Sequence, residues 1–169
     1  RHTREADALG KVTDADFDAF LENAGRQYSE DRPRRQAFEQ TGDSILYAWS
    51  MPSTWIEGFS SVISVELPTG AQNPTYIDDD RWRVEYTGTG TTLTAQFHLI
   101  ADIPSSSDTL RVEFTSYHEL SSDGTNTIPE TDQEALAWLA ASEACEMLAT
   151  AAAHVQDPTI AADVVNTRT

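Results

Sequence analysis

Apolar side chains in the middle of this chain recur at every second residue, whereas those near both ends recur at every third or fourth. The first spacing belongs to strands and the second to helices. The chain must therefore join the two kinds of element in the order helix, strands, helix. The strand signal is clearest over 60–67, where Val62, Ser64 and Glu66 alternate with Ile63, Val65 and Leu67. It recurs over 81–87, where Trp82, Val84 and Tyr86 alternate with Arg81, Arg83, Glu85 and Thr87. Further strands are expected over 35–40, 44–49, 91–99 and 109–117. Gly88-Thr89-Gly90 reads as a tight hairpin connection and Thr41-Gly42-Asp43 as a second turn. Short strands separated by turn signals predict a small antiparallel sheet or sandwich.

Ahead of the strands, Thr13-Asp14-Ala15-Asp16 has the make-up of a helix start: a hydroxyl that can cap, and carboxylates at the positive end of the dipole. Phe17, Phe20, Leu21, Ala24 and Tyr28 follow on one face. Pro33 restricts Arg32 to extended geometry, so the helix should stop near Ser29. After the strands, Thr131 and Glu134 fit a capping box. Leu136, Leu139, Met147 and Leu148 carry a helix to about Val155, and Asp157-Pro158 restarts one. Cys145 falls in that pattern and is expected to be a small buried apolar residue. The expectation is thus an α+β chain: a small helical bundle, made of the N-terminal helix and the C-terminal helices, with an inserted antiparallel β-sheet or sandwich. Residues 1–12 form an N-terminal arm and 13–169 a single domain, with a helix over 13–30, a β region over 34–118 and helices over 130–169.

The 169 residues suit one domain with a sizeable core. No apolar run reaches the roughly 18 residues of a membrane-spanning helix. The start, Arg1-His2-Thr3-Arg4-Glu5, lacks the apolar stretch of a signal peptide and an initiator Met, as a processed or internally numbered chain would. Acidic residues number 28 against 11 basic ones, for a net charge of −17. Lys11 is the only lysine, and after Gln36 the only bases are Arg81, Arg83, Arg111 and Arg168. Such a body repels nucleic acid, which disfavours DNA binding. Acid excess with scarce lysine also fits adaptation to high salt. Molar salt shortens the screening length to about 3 Å and removes self-repulsion, while carboxylates keep the surface hydrated.

Chemistry-bearing patterns are sparse. His2, His98, His118 and His154 show no His-x-x-x-His spacing, and His118-Glu119 reads as a solvated pair after a strand. Asp78, Asp79 and Asp80 could offer oxygens to Ca²⁺ or Mg²⁺. They lack the alternate acids and central glycine of an EF-hand, so a polar turn is the simpler reading. Neither Ser44 nor Ser53 lies in a Gly-x-Ser-x-Gly elbow, and no glycine-rich phosphate loop occurs. One cysteine excludes an internal disulfide. No catalytic residue and no cofactor are expected, and the chain reads as a non-enzyme. Two segments suggest contacts instead. Trp55-Ile56-Glu57-Gly58-Phe59 is apolar for a loop, and either folds back on the sheet or packs against a neighbouring subunit. Arg32-Pro33-Arg34-Arg35 either pairs with the chain's own acids or bridges acidic neighbours in an assembly.

Motif order adds a further clue. Gln27-Tyr28-Ser29-Glu30-Asp31-Arg32-Pro33-Arg34 precedes Trp55-Ile56-Glu57-Gly58-Phe59-Ser60 and Val65-Glu66-Leu67-Pro68. Then come Pro74-Thr75-Tyr76-Ile77-Asp78-Asp79-Asp80, Thr127-Ile128-Pro129 with an Ala-rich helix, and Asp157-Pro158-Thr159-Ile160-Ala161-Ala162-Asp163. From about residue 13 to 169 this order resembles the head–tail connector, or adaptor, proteins of tailed phages. In that family a basic helical tail usually follows, where this chain ends at Asn166-Thr167-Arg168-Thr169; the departure points to a truncated chain.

The resemblance implies a structural virion protein of a tailed virus, of a halophilic archaeon given the acidity. It implies a homo-oligomeric ring of about twelve copies closed by rotation. The ring would sit in the neck between the portal protein and the tail or head-closure proteins, after assembly in the host cytoplasm. DNA would pass through without specific binding, and no membrane is involved. Interface candidates on this reading are Arg32, Arg34, Arg35, Trp55, Ile56, Phe59, Val164, Val165 and Arg168. Another neck subunit, for head closure or tail completion, is the near alternative. The alternative of another class is a β-sandwich binding module, using Trp55 or Trp82 to stack a glycan and the acidic turn to hold Ca²⁺.

Overall fold

The computed structural model describes residues 12–89, 92–120 and 126–153. The fold class is α+β, with two helices and two small antiparallel sheets among the described residues. Contacts divide the chain into two compact units, Arg1–Tyr28 with Glu119–Thr169, and Ser29–His118. Each has its own apolar cluster.

The helical unit begins as its sequence predicts. Helix α1 spans Asp14–Asp31. The Thr13 amide and hydroxyl each donate to Asp16 at 2.7 Å, and the Asp16 amide donates back to the Thr13 hydroxyl at 3.3 Å. This reciprocal cap satisfies amides that a helix start leaves without partners. Ala24 is buried, with Phe20 and Tyr28 packed beside it, while Phe17 and Leu21 stay partly exposed. Helix α2 spans Glu130–Ala153. It starts before the expected Thr131 cap, and the Asp132 amide donates to the Pro129 carbonyl at 2.9 Å. Asn126 accepts the Ile128 amide at 2.9 Å, and Gln133 donates to the Ile128 carbonyl at 3.2 Å. Leu136, Ala140 and Ala144 are buried at a spacing of four, and Tyr28 donates to Asp132 at 2.6 Å. Cys145 is exposed, contrary to expectation, since the turn buries Ala144 instead. Trp138 is exposed as well. The expected helix restart at Asp157-Pro158, the arm before Val12, and Val164, Val165 and Arg168 lie outside the described residues.

The other unit is a sandwich. Strands β1 (Arg34–Thr41), β2 (Ala48–Ser50), β3 (Val62–Glu66), β4 (Trp82–Thr89), β5 (Thr92–Leu99) and β6 (Thr109–Ser116) form two sheets, ordered β1-β6-β3 and β2-β5-β4. Every pairing is antiparallel. The sheets contribute to one core of Trp49, Met51, Val65, Ile77, Phe97, Leu99, Leu110, Val112 and Phe114. Burying one such large side chain stabilises by about 1.5–3 kcal/mol.

Three details depart from simple alternation. In β3, Val62 pairs with Phe114 and Ser64 with Glu113, so a bulge leaves Ile63 over. The bulge reverses the phase: Val62 and Val65 both reach the core, and Ile63 faces outward. The hairpin expected at Gly88-Thr89-Gly90 closes later. Gly88 pairs with Leu93 and Thr89 with Thr92, and residues 90 and 91 lie outside the described ones. The strand expected over 44–49 is only Ala48–Ser50. The Asp43 carboxylate accepts the Ile45 and Leu46 amides at 2.8 and 2.6 Å, and Ser44 takes a φ of 65°. That turn bends the backbone out of the sheet before Ala48.

Candidate interaction surface

The Asp43 turn has a chemical consequence. It presents Ile45, Leu46 and Tyr47 to solvent, at 74, 51 and 55% exposure. The segment runs alongside the loop after β5. Leu99 donates its amide to the Tyr47 carbonyl at 2.8 Å, and Ser44 donates to the Pro104 carbonyl at 3.0 Å. That loop exposes Ile100 and Ile103 to 56 and 54%. Five apolar side chains thus line one strip. Gly42 is required at its start, since a Cβ there would run into the carbonyl oxygens of Pro104 and Ser105.

A shallow cleft of about 320 Å³ opens beside the strip, lined by Tyr47, Arg83, His98, Asp102 and the apolar residues 99–101 and 103. Its arginines and carboxylates are paired. Arg81 holds Asp102 at 2.6 Å, and Arg83 holds Glu85 at 2.7 Å. His98 Nε2 lies 3.5 Å from the other Glu85 oxygen. The strip therefore borders a neutralised floor on a chain of net charge −17. Amide donation from Leu46 and then Ile45 holds the Asp43 carboxyl below its ordinary value, so it stays ionised at the rim.

The predicted contact residues fall elsewhere. Trp55, Ile56 and Phe59 are half-buried, and the rings of Trp55 and Phe59 fold back on their own unit. The Trp55 ring lies 5.8 Å from that of Phe114, its Nε1 donates to the Tyr86 hydroxyl at 3.2 Å, and the Phe59 ring lies tilted against that of Tyr117 at 4.1 Å. Trp82 packs on Phe97 at 5.9 Å as part of the core, so neither tryptophan presents an open stacking face. Arg32 and Arg35 are exposed and Arg34 is half-buried, all at the start of β1. Asp78, Asp79 and Asp80 are exposed around the short 3₁₀ turn Asp79–Arg81. Among the described residues, no group of three or more His, Cys, Asp or Glu side chains is placed to hold a metal. The His118 ring is 3.1 Å from the Arg32 carbonyl.

Sequence reading missed the strip because it assigned residues 44–49 to a strand. The available signal was Ile45-Leu46-Tyr47 itself, three apolar residues in succession directly after an Asp that can turn the chain. No protein-family model, no curated protein and no solved structure matches the chain.

Proposed function

We propose that this chain is a non-catalytic structural subunit that works by docking, as one copy of a ring assembly. The head–tail connector of a tailed virus is the setting suggested by the order of its motifs. The observation that carries the reading is the strip of Ile45, Leu46, Tyr47, Ile100 and Ile103. An isolated exposed Leu or Ile is ordinary, but a contiguous apolar strip bordered by matched charges is what a protein–protein contact requires. The high acid content suits a surface past which DNA slides without sticking.

The test is mass by light scattering in molar salt, alone and with the portal protein of the same particle. A ring-sized mass, or a stable complex with the portal, is the expected outcome. A monomer that ignores the portal would overturn the reading.

A further inference from the structure

We infer that the strip receives an amphipathic helix of a second protein, one that lays an apolar ridge on Ile45, Leu46 and Ile103 and sets lysine or arginine side chains along its edges. This rests on the reading of the strip as a docking face and names the chemistry of what docks there. The contact must be made by side chains, because much of the strip's backbone is already bonded. The Ile45 and Leu46 amides go to the Asp43 carboxylate, the Ser44 amide to the Pro104 carbonyl, the Leu99 amide to the Tyr47 carbonyl and the Ile100 amide to the Arg81 carbonyl. The adjoining strand β2 offers only three residues of sheet edge, Ala48–Ser50. A strand added there would gain few main-chain bonds, whereas a helix binds through its apolar face and needs none. The cleft beside the strip gives that face an anchor point. At about 320 Å³, with Tyr47, Ile100 and Ile103 in its lining, it suits one large apolar side chain of a partner.

The edges of the strip set the sign of the partner. Asp43 is exposed at its start, and Asp79 and Asp80 are exposed in the turn that leads to Arg81, whose carbonyl holds the Ile100 amide at 2.8 Å. Arg81 and Arg83 are taken up by Asp102 and Glu85, which leaves Asp43, Asp79 and Asp80 as the carboxylates that meet an incoming base. The net charge of −17 adds attraction for a basic partner at longer range. The helices of a second copy do not fit this description. Helix α1 carries one base, Arg26, which its own Glu22 holds, and helix α2 carries none. Among the described residues this chain therefore has no basic helix to offer itself.

The test adds a synthetic helical peptide to the whole chain and follows binding by calorimetry. The peptide carries Leu and Trp at i, i+3, i+4 and i+7 and lysine elsewhere, and its control carries glutamate in place of lysine. The lysine peptide should bind, more weakly as salt rises from about 0.1 M to about 1 M, and the glutamate peptide should not. Ile45→Asp with Ile103→Asp adds carboxylates and would strengthen a contact made by charge alone; here it should weaken binding by roughly tenfold or more. Ile45→Asp alone, at a side chain 74% exposed, serves if the double variant does not fold by circular dichroism. Asp79→Asn with Asp80→Asn should weaken binding several-fold at low salt and hardly at all at high salt. Equal binding of the two peptides, no binding of the lysine peptide, or unchanged or tighter binding by the isoleucine variants overturns the basic helix as partner. Light scattering with the portal then separates this from the docking reading. A ring or portal complex that Ile45→Asp disrupts keeps the strip as a docking face, and one that it leaves intact removes that as well.

Discussion

At Asp43, a single carboxylate oxygen accepts two successive backbone amides, and that decides whether three apolar residues enter a sheet or face water. Asp43→Ala should loosen the turn and lower the urea midpoint at neutral pH. The pH dependence has a definite sign. The amides hold the folded carboxyl below its ordinary value of 3.8, so its stabilisation is fully present above that value and is lost as pH falls through the lower folded one. The difference between wild type and variant should therefore be constant near pH 7 and shrink in strong acid, as read by urea titrations at both pH values. Asp16 follows the same rule, because the Thr13 amide and then its hydroxyl lower its carboxyl. There the cap was legible in the sequence, since a Thr followed three residues later by an acid has few other uses at the head of an apolar repeat. Asp43 was not legible in the same way. An Asx turn competes with a strand on equal terms until the neighbouring chain is known, and the loop that receives residues 42–47 lies some sixty residues later, from Leu99 to Asp108.

Within the elements, the bulge in β3 offers a sharper test of packing. Strict alternation would bury Ile63 and Val65 together, but the extra residue at Ile63 puts only Val65 inside. Val65→Ala should cost about 2 kcal/mol, whereas Ile63→Ala should stay within about 0.5 kcal/mol, as judged from denaturant midpoints. In the central strand β6, Phe114 is fully buried and meets the rings of Phe38 and Trp55. Phe114→Ala should cost about 3–5 kcal/mol by the same measurement. The α+β class and, among the described residues, both helices and five of the six strands were legible because each repeats one spacing for long enough to outvote local noise. The bulge was invisible because period two survives on either side of it, and only pairing with Phe114 and Glu113 reveals the lost phase. The start of α2 moved because the Pro129 carbonyl takes the Asp132 amide ahead of Thr131, whose hydroxyl donates to Asp132 at 3.2 Å instead of capping.

For the molecule as a whole, the governing quantity is a net charge of −17 on 169 residues. Between about 0.1 M and 1 M salt the screening length drops from about 10 Å to 3 Å, which relieves repulsion among exposed acids. Melting temperature should therefore climb with salt over this range in calorimetry. Changing Asp79, Asp80 and Glu130 to their amides should flatten the climb; an unchanged slope would argue that dispersed carboxylates are not its cause. The distribution of tryptophan gives the two units separate voices. Trp49, Trp55 and Trp82 sit in or against the core of the sandwich, while Trp138 stands 67% exposed on α2 of the helical unit. An aqueous quencher such as acrylamide should silence Trp138 first and leave a blue-shifted emission from the other three. Trp138→Phe would then make intrinsic fluorescence a reporter of the sandwich alone. Far-ultraviolet dichroism, dominated by α1 and α2, would follow the helical unit, and superimposable melting curves from the two signals would show that the units unfold as one.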